Sequence, residues 1–547
     1  MMVGVMNLLS VVSAAMVSDP PPYTFSLDQS IVCPRDVNDA WYTQSTKMSA
    51  PIRANDSTAL KDVIDSVPGI LNATLGTLRA PSAMFIAHQN SVKLSESYHG
   101  SARLNAIVPV TSTSGFMIAS NSKVFTSVML YQLRDQGLLP QGLDTTVARL
   151  MPGWHEPQPP RGSTGAASRR GLTLRALATH ASGLPRETPA AVNESEILTK
   201  VGAAKMLFPQ FASTAYSNLG VSLLGRTLEK ATNGLTWEEW VETRIMEPLG
   251  MSRSGPCVRS AEEAAAIVDG VEPAAPRHVV PRPFTNSSRC PWDAPAGGVF
   301  STPQDMARWA DFLAGTYPAP DVLDPASIAE LRNSAMLQAD GISAIGGGTL
   351  ENAFSHGRWT FNKLGCLPGY RSATTIVPEL GLSVFAAAAS TCDLHGDGDA
   401  VGFPIVSQLI PPLERLLRER FEAQQRALPA AAADLVGSYD CPFAGAAHIS
   451  HSADGRLRLE HVGGSAYSWT LLPLDGQPDA YRKLMEELPR STPACSSPEW
   501  PGANLCHTSC FREMARGDVE LLYAKRDAKG RVRAIEVPGD GVVCVKT

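Results

Sequence analysis

Length, composition and charge exclude several classes of protein at the outset. The chain has 547 residues, of which 44% are hydrophobic and 18% charged. These values are ordinary for a soluble globular protein with one large domain and additions at its ends. The formal net charge is −6, and no run of Lys and Arg forms a phosphate-binding patch. We therefore expect no nucleic-acid partner.

The N-terminal region is expected to direct the chain out of the cell. Residues 1–18 contain an apolar stretch of signal-peptide length that ends in small residues. The usual positive charge is missing, because no Lys or Arg precedes Arg35, and a truncated or misassigned start is the alternative. Ten cysteines and four glycosylation sequons also favour an oxidising compartment; the sequon asparagines are Asn55, Asn72, Asn193 and Asn286. We expect a secreted protein with disulfides, whose pairing the sequence leaves open, and no membrane partner.

The predicted elements begin after this leader. Residues 19–56, rich in Pro, Ser and Asp, predict an extended arm, and Ser57 is a plausible N-cap for a helix that Pro68 is expected to break. Two strand-like runs, Ser82–His88 and Val92–Tyr98, predict an antiparallel hairpin. A helix next to such a hairpin indicates an α+β domain, in which helices pack on an antiparallel sheet.

The following segments complete this large domain, which we assign to residues 57–428. A strongly helical pattern begins at Ser120, and the segment Leu172–Ser254 is mostly helical in pattern. Strands return near Gly365, and a helix from about Pro411 to Arg426 closes the domain.

The C-terminal part, residues 432–547, is expected to be a small, mainly β domain. It follows a Pro-Ala run that is typical of a linker. Its short strand-like runs are separated by turn dipeptides such as Asp454-Gly455 and Lys529-Gly530.

The tetrapeptide Ser120-Asn121-Ser122-Lys123 carries the first candidate chemistry. Ser and Lys three residues apart at a helix start share one face, so the ammonium can reach the hydroxyl. A serine hydroxyl is a poor nucleophile until a base takes its proton, and a buried lysine with a lowered pKa can be that base. The same spacing also occurs on solvated helix faces. Here, however, Lys123 lies within an apolar run, where an unpaired charge would be costly.

Two later groups carry side chains that suit the same site. The Tyr216 hydroxyl could relay a proton to a leaving group, and the Asn218 amide could hold a substrate carbonyl or anchor the lysine. Tyr-x-Asn alone would equally suit a loop tyrosine beside an asparagine cap. The tripeptide Lys363-Leu364-Gly365 precedes a predicted strand. Its lysine would keep positive charge over the cleft, and its glycine would let the substrate approach the backbone.

The order Ser-x-x-Lys, Tyr-x-Asn and Lys-x-Gly resembles the signature of class C β-lactamases and the related esterases, transesterases and D-amino-acid peptidases. The flanking segments are similar too: FMIASNSKVFTS, LRALATHASGLP, PAGGVFSTPQDMARW and LPGYRSATTIVPE. The resemblance covers about Ser57 to Arg426. It implies an antiparallel sheet flanked by helices, with a helical lobe and the active site between them, as in the serine β-lactamase and penicillin-binding-protein superfamily.

The resemblance also implies a role for each reacting group. Ser120 would be acylated, Lys123 would be its base, and Tyr216 would share the proton transfer.

The surrounding groups would bind substrate. Asn218 would position the lysine or a substrate amide, and Lys363 would keep the tyrosine and the cleft electropositive. The oxyanion hole would use the backbone N–H groups of Ser120 and of Cys366, the residue after Gly365, so that Cys366 matters for its backbone and not for its thiol.

We therefore expect a serine hydrolase that acts through an acyl-serine intermediate on a small ester, amide or peptide. Leu364 departs from the β-lactamase pattern, in which Thr or Ser offers a hydroxyl to the substrate carboxylate, and this favours an esterase, amidase or peptidase. The alternatives are an acyltransferase that uses the same acyl-enzyme and a non-catalytic binding protein on this fold. The oligomeric state stays open.

Other candidate groups are interpreted without a catalytic role. His180 is expected to be structural, because the reacting set is complete without it. The group Cys506-His507-x-x-Cys510 superficially suits zinc, but in a secreted chain such a cluster is more often a disulfide region. The glycine run Gly346–Gly348 lacks the Lys-Ser/Thr ending of a phosphate loop. No metal and no cofactor is expected.

Overall fold

A computed structural model gives the architecture of the chain. It describes residues 51–160, 171–191, 193–272, 277–279, 289–340, 343–356, 358–391, 401–426, 430–442, 445–452, 455–462, 468–474, 477–485, 521–537 and 542–547. The expected signal peptide, residues 19–50 of the expected arm and the Cys506–Cys510 cluster lie outside these residues.

An eight-stranded antiparallel sheet forms the centre of the large domain. Its strands are β1 Ser82–Gln89, β2 Val92–Gly100, β7 Ser334–Leu337, β8 Ser343–Gly346, β9 Glu351–Ser355, β10 Arg358–Leu367, β11 Tyr370–Val377 and β12 Leu382–Ala388. Their spatial order across the sheet is β2, β1, β12, β11, β10, β9, β8 and β7. Two short pairs lie outside this sheet: β3 Phe116–Met117 with β6 Phe300–Ser301, and β4 Gly270–Glu272 with β5 Arg277–Val279.

Helices cover both faces of the sheet and build a helical lobe. They are α1 Thr58–Leu78, α2 Ser122–Asp135, α3 Val147–Leu150, α4 Leu174–Ala178, α5 Glu194–Ala203, α6 Asn218–Leu228, α7 Trp237–Val241, α8 Ala261–Ala266, α9 Ala294–Gly297, α10 Pro303–Ala314, α11 Pro325–Arg332 and α12 Phe403–Arg426. The predicted α+β class, with helices on an antiparallel sheet, is confirmed.

Alternation along β1 separates two hydrophobic cores. Successive side chains of a strand point to opposite faces of the sheet. Met84 therefore packs in the core that includes Phe125 of α2 and Trp309 of α10. Its neighbour Phe85 packs in a second core beneath α1 and α12, where it joins Leu71 and other apolar side chains. The nucleophile candidate lies on the helical-lobe side of the sheet, directly before α2.

Three local predictions are tested by the N-terminal elements. Ser57 caps α1 through a hydrogen bond from the Leu60 N–H at 3.4 Å. The hairpin turn is also confirmed, since Asn90 and Ser91 both adopt positive φ, at 50° and 59°, between β1 and β2. The expected helix break at Pro68 is wrong, because α1 continues through it. Packing of the apolar face of α1 against the sheet holds the helix together despite the missing N–H donor.

Two C-terminal boundaries also differ from the prediction. The closing helix begins at Phe403 and runs through Pro411 and Pro412 instead of starting there. The Pro-Ala run expected as a linker continues into a short 3-10 helix, Ala430–Leu435, and its Ala432 is buried in the core of the next domain. Apolar burial in that core overrides the flexibility that the composition suggested.

The small β domain is a closed barrel of eight antiparallel strands. In sequence order these are β13 Gly437–Cys441, β14 Gly445–His451, β15 Leu457–Val462, β16 Ser468–Leu474, β17 Gln477–Met485, β18 Leu521–Arg526, β19 Val532–Val537 and β20 Val542–Lys546. Pairing of β13 with β20 closes the barrel, and a disulfide between Cys441 and Cys544 joins the same two strands. Closure leaves these strands without an unpaired edge.

The helical lobe contains a second disulfide, between the buried Cys257 and Cys290. Within the described part of the chain, no helix has the length and apolarity needed to cross a membrane.

Candidate active site

Ser120 lies in a 3-10 turn, Ala119–Asn121, that leads directly into α2. This placement confirms the sequence prediction that the serine stands at a helix start. Backbone N–H groups in the first turn of a helix have no intrahelical acceptor, so they are available to a developing negative charge. Ala119 adopts a φ of 51°, a left-handed conformation that costs a residue with a Cβ about 1–2 kcal/mol.

Polar contacts with β11 hold this strained turn. The Ser372 hydroxyl donates to the Ile118 carbonyl at 2.7 Å and accepts from the Asn121 amide at 2.8 Å. Gly365 allows β10 to approach the same turn, because a Cβ at this position would lie 2.4 Å from the Ile118 carbonyl oxygen. The glycine was expected to make room for substrate, whereas its close neighbour in the structure is the turn that carries the nucleophile.

Lys123 is fully buried one turn after Ser120. Its Nζ donates to the Ser120 Oγ at 2.9 Å and to the Ala296 carbonyl at 2.6 Å. Burial lowers the pKa of the Lys123 ammonium, and the positive charge of Lys363 lowers it further against an opposing effect of Tyr216. A neutral lysine amine beside a serine hydroxyl is equipped to take its proton.

Tyr216 completes the contacts of the nucleophile. Its hydroxyl donates to the Ser120 Oγ at 2.7 Å. Burial raises the pKa of the Tyr216 phenol, but nearby positive charge, chiefly that of Lys363, outweighs this effect, so that the net pKa is lowered. A phenol with a lowered pKa exchanges a proton with its surroundings more readily than an ordinary tyrosine.

Lys363 lies on β10 with its Nζ 5.1 Å from the centre of the Tyr216 ring. It forms an ion pair with Glu351 of β9, a residue that the sequence analysis missed. Burial by itself would lower the pKa of Lys363, but the charges of Glu351 and Tyr216 raise it above the usual value. Lys363 therefore stays protonated, and its charge lies beside the Tyr216 phenol.

The edge of β10 that faces β9 carries backbone N–H groups beyond the last paired residue. Pairing with β9 ends at Asn362, and the Leu364 N–H points past this end toward a Glu351 carboxylate oxygen at 3.4 Å. Backbone N–H groups two residues apart in a strand point to the same side. The Cys366 N–H therefore points to the same edge as that of Leu364, which supports the oxyanion role predicted for it. Cys366 itself is disulfide-bonded.

Asn218 and His180 lie near Tyr216 but make contacts that differ from those of a reacting group. The Asn218 amide N–H donates to the Glu187 carboxylate at 2.8 Å. Lys123 Nζ donates to Ser120 and Ala296 and not to the Asn218 amide oxygen, so a substrate contact remains as the predicted role of Asn218. His180 stacks on the Tyr216 ring with centres 4.6 Å apart, and its Nδ1 accepts from the Ser217 N–H at 3.2 Å. Burial, aided by the nearby cations, lowers the pKa of His180 well below its usual value, so the ring is neutral and supports the tyrosine.

Sequence reasoning missed the residues whose roles depend on strand pairing. Glu351 lies 12 positions before Lys363 without a motif around it, and only the pairing of Asn362 with Glu351 across β9 and β10 brings the two charges together. Ser372 likewise reaches the nucleophile turn only because β11 pairs with β10.

This fold, with its Ser-x-x-Lys turn where a helical lobe meets an antiparallel sheet, is that of β-lactamases and D-alanine carboxypeptidases. A family model described as beta-lactamase matches residues 70–397, and the chain therefore belongs to the beta-lactamase family.

Curated relatives agree with this family. The chain is 30% identical over 332 residues to Beta-lactamase-like protein 2 of Dictyostelium discoideum, which is 57% of this chain and 55% of that protein. It is 29% identical over 201 residues to the D-alanyl-D-alanine-carboxypeptidase/endopeptidase AmpH of Escherichia coli, which is 35% of this chain and 47% of that protein. The chain thus spans about half the length of these two relatives.

Solved structures extend the likeness of fold. A β-lactamase/D-alanine carboxypeptidase from Yersinia pestis has a TM-score of 0.52 and 22% identity, and the match covers 65% of this chain and all of that one. An octameric penicillin-binding protein homologue from Pyrococcus abyssi has a TM-score of 0.51 and 18% identity, and covers 88% of this chain and all of that one. The second match is longer than the part of this chain that precedes the barrel, so it includes barrel residues.

Replacing the Glu351 carboxylate should shift the pH profile of the reaction. Without this partner, burial lowers the pKa of Lys363, so Lys363 loses its proton at a lower pH than before. In a Glu351→Gln protein, the basic limb of kcat/KM for a small activated ester should move to lower pH by roughly one to three units. Glu351→Asp, which retains the charge, is the control. An unchanged basic limb in the glutamine variant would show that Lys363 does not govern this part of the profile.

Proposed function

We propose that this protein is a serine hydrolase that cleaves small esters or amides through an acyl-Ser120 intermediate. The observation that carries the proposal is the double contact of the Ser120 Oγ, with Lys123 Nζ at 2.9 Å and with the Tyr216 hydroxyl at 2.7 Å. Membership of the beta-lactamase family supports the same chemistry.

Acylation begins with proton transfer from Ser120. Neutral Lys123 takes the hydroxyl proton while Oγ attacks the substrate carbonyl carbon, and the carbonyl π electrons move onto oxygen. The N–H groups of Ser120 and Cys366 stabilise that oxyanion. When the tetrahedral intermediate collapses, the bond to the leaving group breaks, and Tyr216 donates a proton to that group and regains one from protonated Lys123.

Deacylation repeats these steps with a water molecule. The lysine–tyrosine pair takes a proton from water as its oxygen attacks the acyl carbon. The bond to the Ser120 Oγ then breaks, and the proton returns to Oγ, which restores the free enzyme. An alcohol or amine in place of water would give an acyltransferase, which is the second candidate activity because it needs the same intermediate.

A non-catalytic binding protein is disfavoured by the state of the charged groups. Lys123 is buried where its ammonium form is unfavourable, and among the described residues its Nζ donates to Ser120 and Ala296 and to no carboxylate. A fold retained only for binding gains nothing from this arrangement. A serine nucleophile does, because it needs a neutral amine.

A serine-directed probe tests the nucleophile directly. We expect a fluorophosphonate to form one covalent adduct on Ser120, located by mass spectrometry of the digested protein. Ser120→Ala should abolish the adduct, and Lys123→Ala should slow its formation by roughly 10²-fold or more, because no neighbouring base of the same strength remains. Equal labelling of another serine in the Ser120→Ala protein would contradict the assignment.

The same site should hydrolyse activated esters better than penicillins or cephalosporins. Leu364 lacks the hydroxyl that would bind a lactam carboxylate, and such a charge-assisted bond contributes about 1.5–3 kcal/mol, or roughly 10–150-fold. Lys363 compensates poorly because Glu351 already neutralises it. Leu364→Thr should therefore raise lactam acylation relative to the turnover of a neutral ester. Efficient penicillin turnover by the unchanged protein, unaffected by this substitution, would refute the argument.

We also propose that the mature protein is exported. Two disulfides between described residues are consistent with an extracellular location, and three of the sequon asparagines, Asn55, Asn72 and Asn193, are exposed. Expression in a secreting eukaryotic cell should give a product without the first residues, with glycosidase-sensitive mass and with fewer than ten titratable thiols. A retained, unglycosylated product with every thiol free would refute export.

A further inference from the structure

Three basic side chains surround the ring of Tyr216, and they differ in exposure. Lys123 Nζ and Lys363 Nζ lie 4.9 and 5.1 Å from the ring centre, and both are buried. The guanidinium of Arg186 lies 4.9 Å from the same centre, but the Arg186 side chain is 65% exposed. Because the Tyr216 hydroxyl contacts the Ser120 Oγ, the exposed Arg186 is connected to the proposed nucleophile through a single aromatic ring.

The two buried lysines already have partners for their hydrogen bonds. Lys123 donates to Ser120 and to a backbone carbonyl, and Lys363 is paired with Glu351. Of the three basic side chains, Arg186 is the one that solvent reaches. It is therefore the hydrogen-bond donor available to a negatively charged group of a substrate. The charge of Arg186 also acts inside the site, where it is one of the causes that lower the pKa of buried His180.

Glu187 determines which edge of the guanidinium is presented. One carboxylate oxygen of Glu187 accepts from the Arg186 Nε at 3.0 Å, and the other accepts from the Asn218 amide at 2.8 Å. The backbone at Arg186 is also held, because its carbonyl accepts the Asn218 N–H at 2.7 Å. Among the described residues, the two Nη groups of Arg186 have no hydrogen-bond partner. This edge of a planar guanidinium fits a carboxylate with two parallel hydrogen bonds.

We infer that Arg186 is a specificity-determining residue that binds a carboxylate of the substrate through its Nη edge, so that the preferred substrates are acyl compounds whose acidic group reaches this exposed guanidinium. The lactam carboxylate, for which Leu364 offers no hydroxyl, is a different contact. The inference rests on the proposed hydrolase function and names the substrate class for the same site. Glu187 is the positioning residue of the Arg186 contact. Because Glu187 offsets the charge of the guanidinium, the attraction between Arg186 and the carboxylate depends more on the two parallel hydrogen bonds from the Nη groups than on net charge.

Matched esters test this inference and show which side of the substrate carries the acid. The monoester of adipic acid with para-nitrophenol has a carboxylate on the acyl part, and para-nitrophenyl hexanoate is its neutral match. For the leaving group, meta-acetoxybenzoate is compared with its methyl ester. We expect Arg186→Gln to lower kcat/KM about tenfold for the acidic ester of one pair, with the neutral ester of that pair changed less than twofold.

Two further variants separate recognition from structure. Arg186→Lys keeps the charge without the fork and should retain only part of the preference for the acidic ester. The control variant Arg149→Gln removes an exposed arginine of α3. In both pairs it should leave the ratio of kcat/KM for the acidic ester to kcat/KM for the neutral ester unchanged. Equal losses for acidic and neutral esters in Arg186→Gln would assign Arg186 a structural role, and unchanged ratios in both pairs would overturn the inference.

A binding measurement separates this inference from the proposed hydrolysis. Calorimetric titration of the Ser120→Ala protein with each acidic ester and its neutral match measures the contact without turnover. We expect weaker binding of the acidic ester when Arg186→Gln is added, and no change for its neutral match. If wild type shows no Ser120 adduct while this difference persists, the hydrolase proposal fails and the carboxylate contact stands. If the adduct forms and the difference is absent, only the carboxylate contact fails.

Discussion

Burial of the Lys123 amine next to Ser120 is the constraint on which the site depends. A lysine surrounded by protein loses the hydration of its ammonium, and its pKa falls because only the charged form suffers this loss. The same burial demands partners for the Nζ hydrogens, which the Ser120 Oγ and the Ala296 carbonyl provide. The helical lobe must therefore close over α2, and α9 must bring Ala296 to the lysine.

The other buried lysine of the site, Lys363, is kept protonated by one contact. Lys363 is as deeply buried as Lys123, yet its pKa is raised because Glu351 stands beside it. The charge of Lys363 is the largest effect that lowers the pKa of the Tyr216 phenol, while the Lys123 amine, whose own pKa is lowered by burial, is left free to accept a proton. In the proposed reaction the two lysines serve different steps, and a single carboxylate on β9 makes the difference.

Much of the fold could be predicted from local sequence pattern. The cap at Ser57 and the hairpin after Gln89 depend on residues a few positions apart, and both are confirmed. The helix break expected at Pro68 failed because packing against the sheet compensates for one missing hydrogen bond. The interpretation of the segment around Ala432 as a linker was wrong for a similar reason, because Ala432 is buried in the hydrophobic core of the barrel.

The sequence by itself determined the candidate reacting set. The spacing of Ser120 and Lys123 along one helix brings their side chains together in any fold that keeps that helix, and the resemblance supplied Tyr216 and Lys363. Only the tertiary structure decided the protonation of these groups and their neighbours across the sheet. A pKa depends on burial and on charges from distant segments, such as those of Glu351 and Arg186. Strand register, which no local motif encodes, places the Glu351 charge next to Lys363.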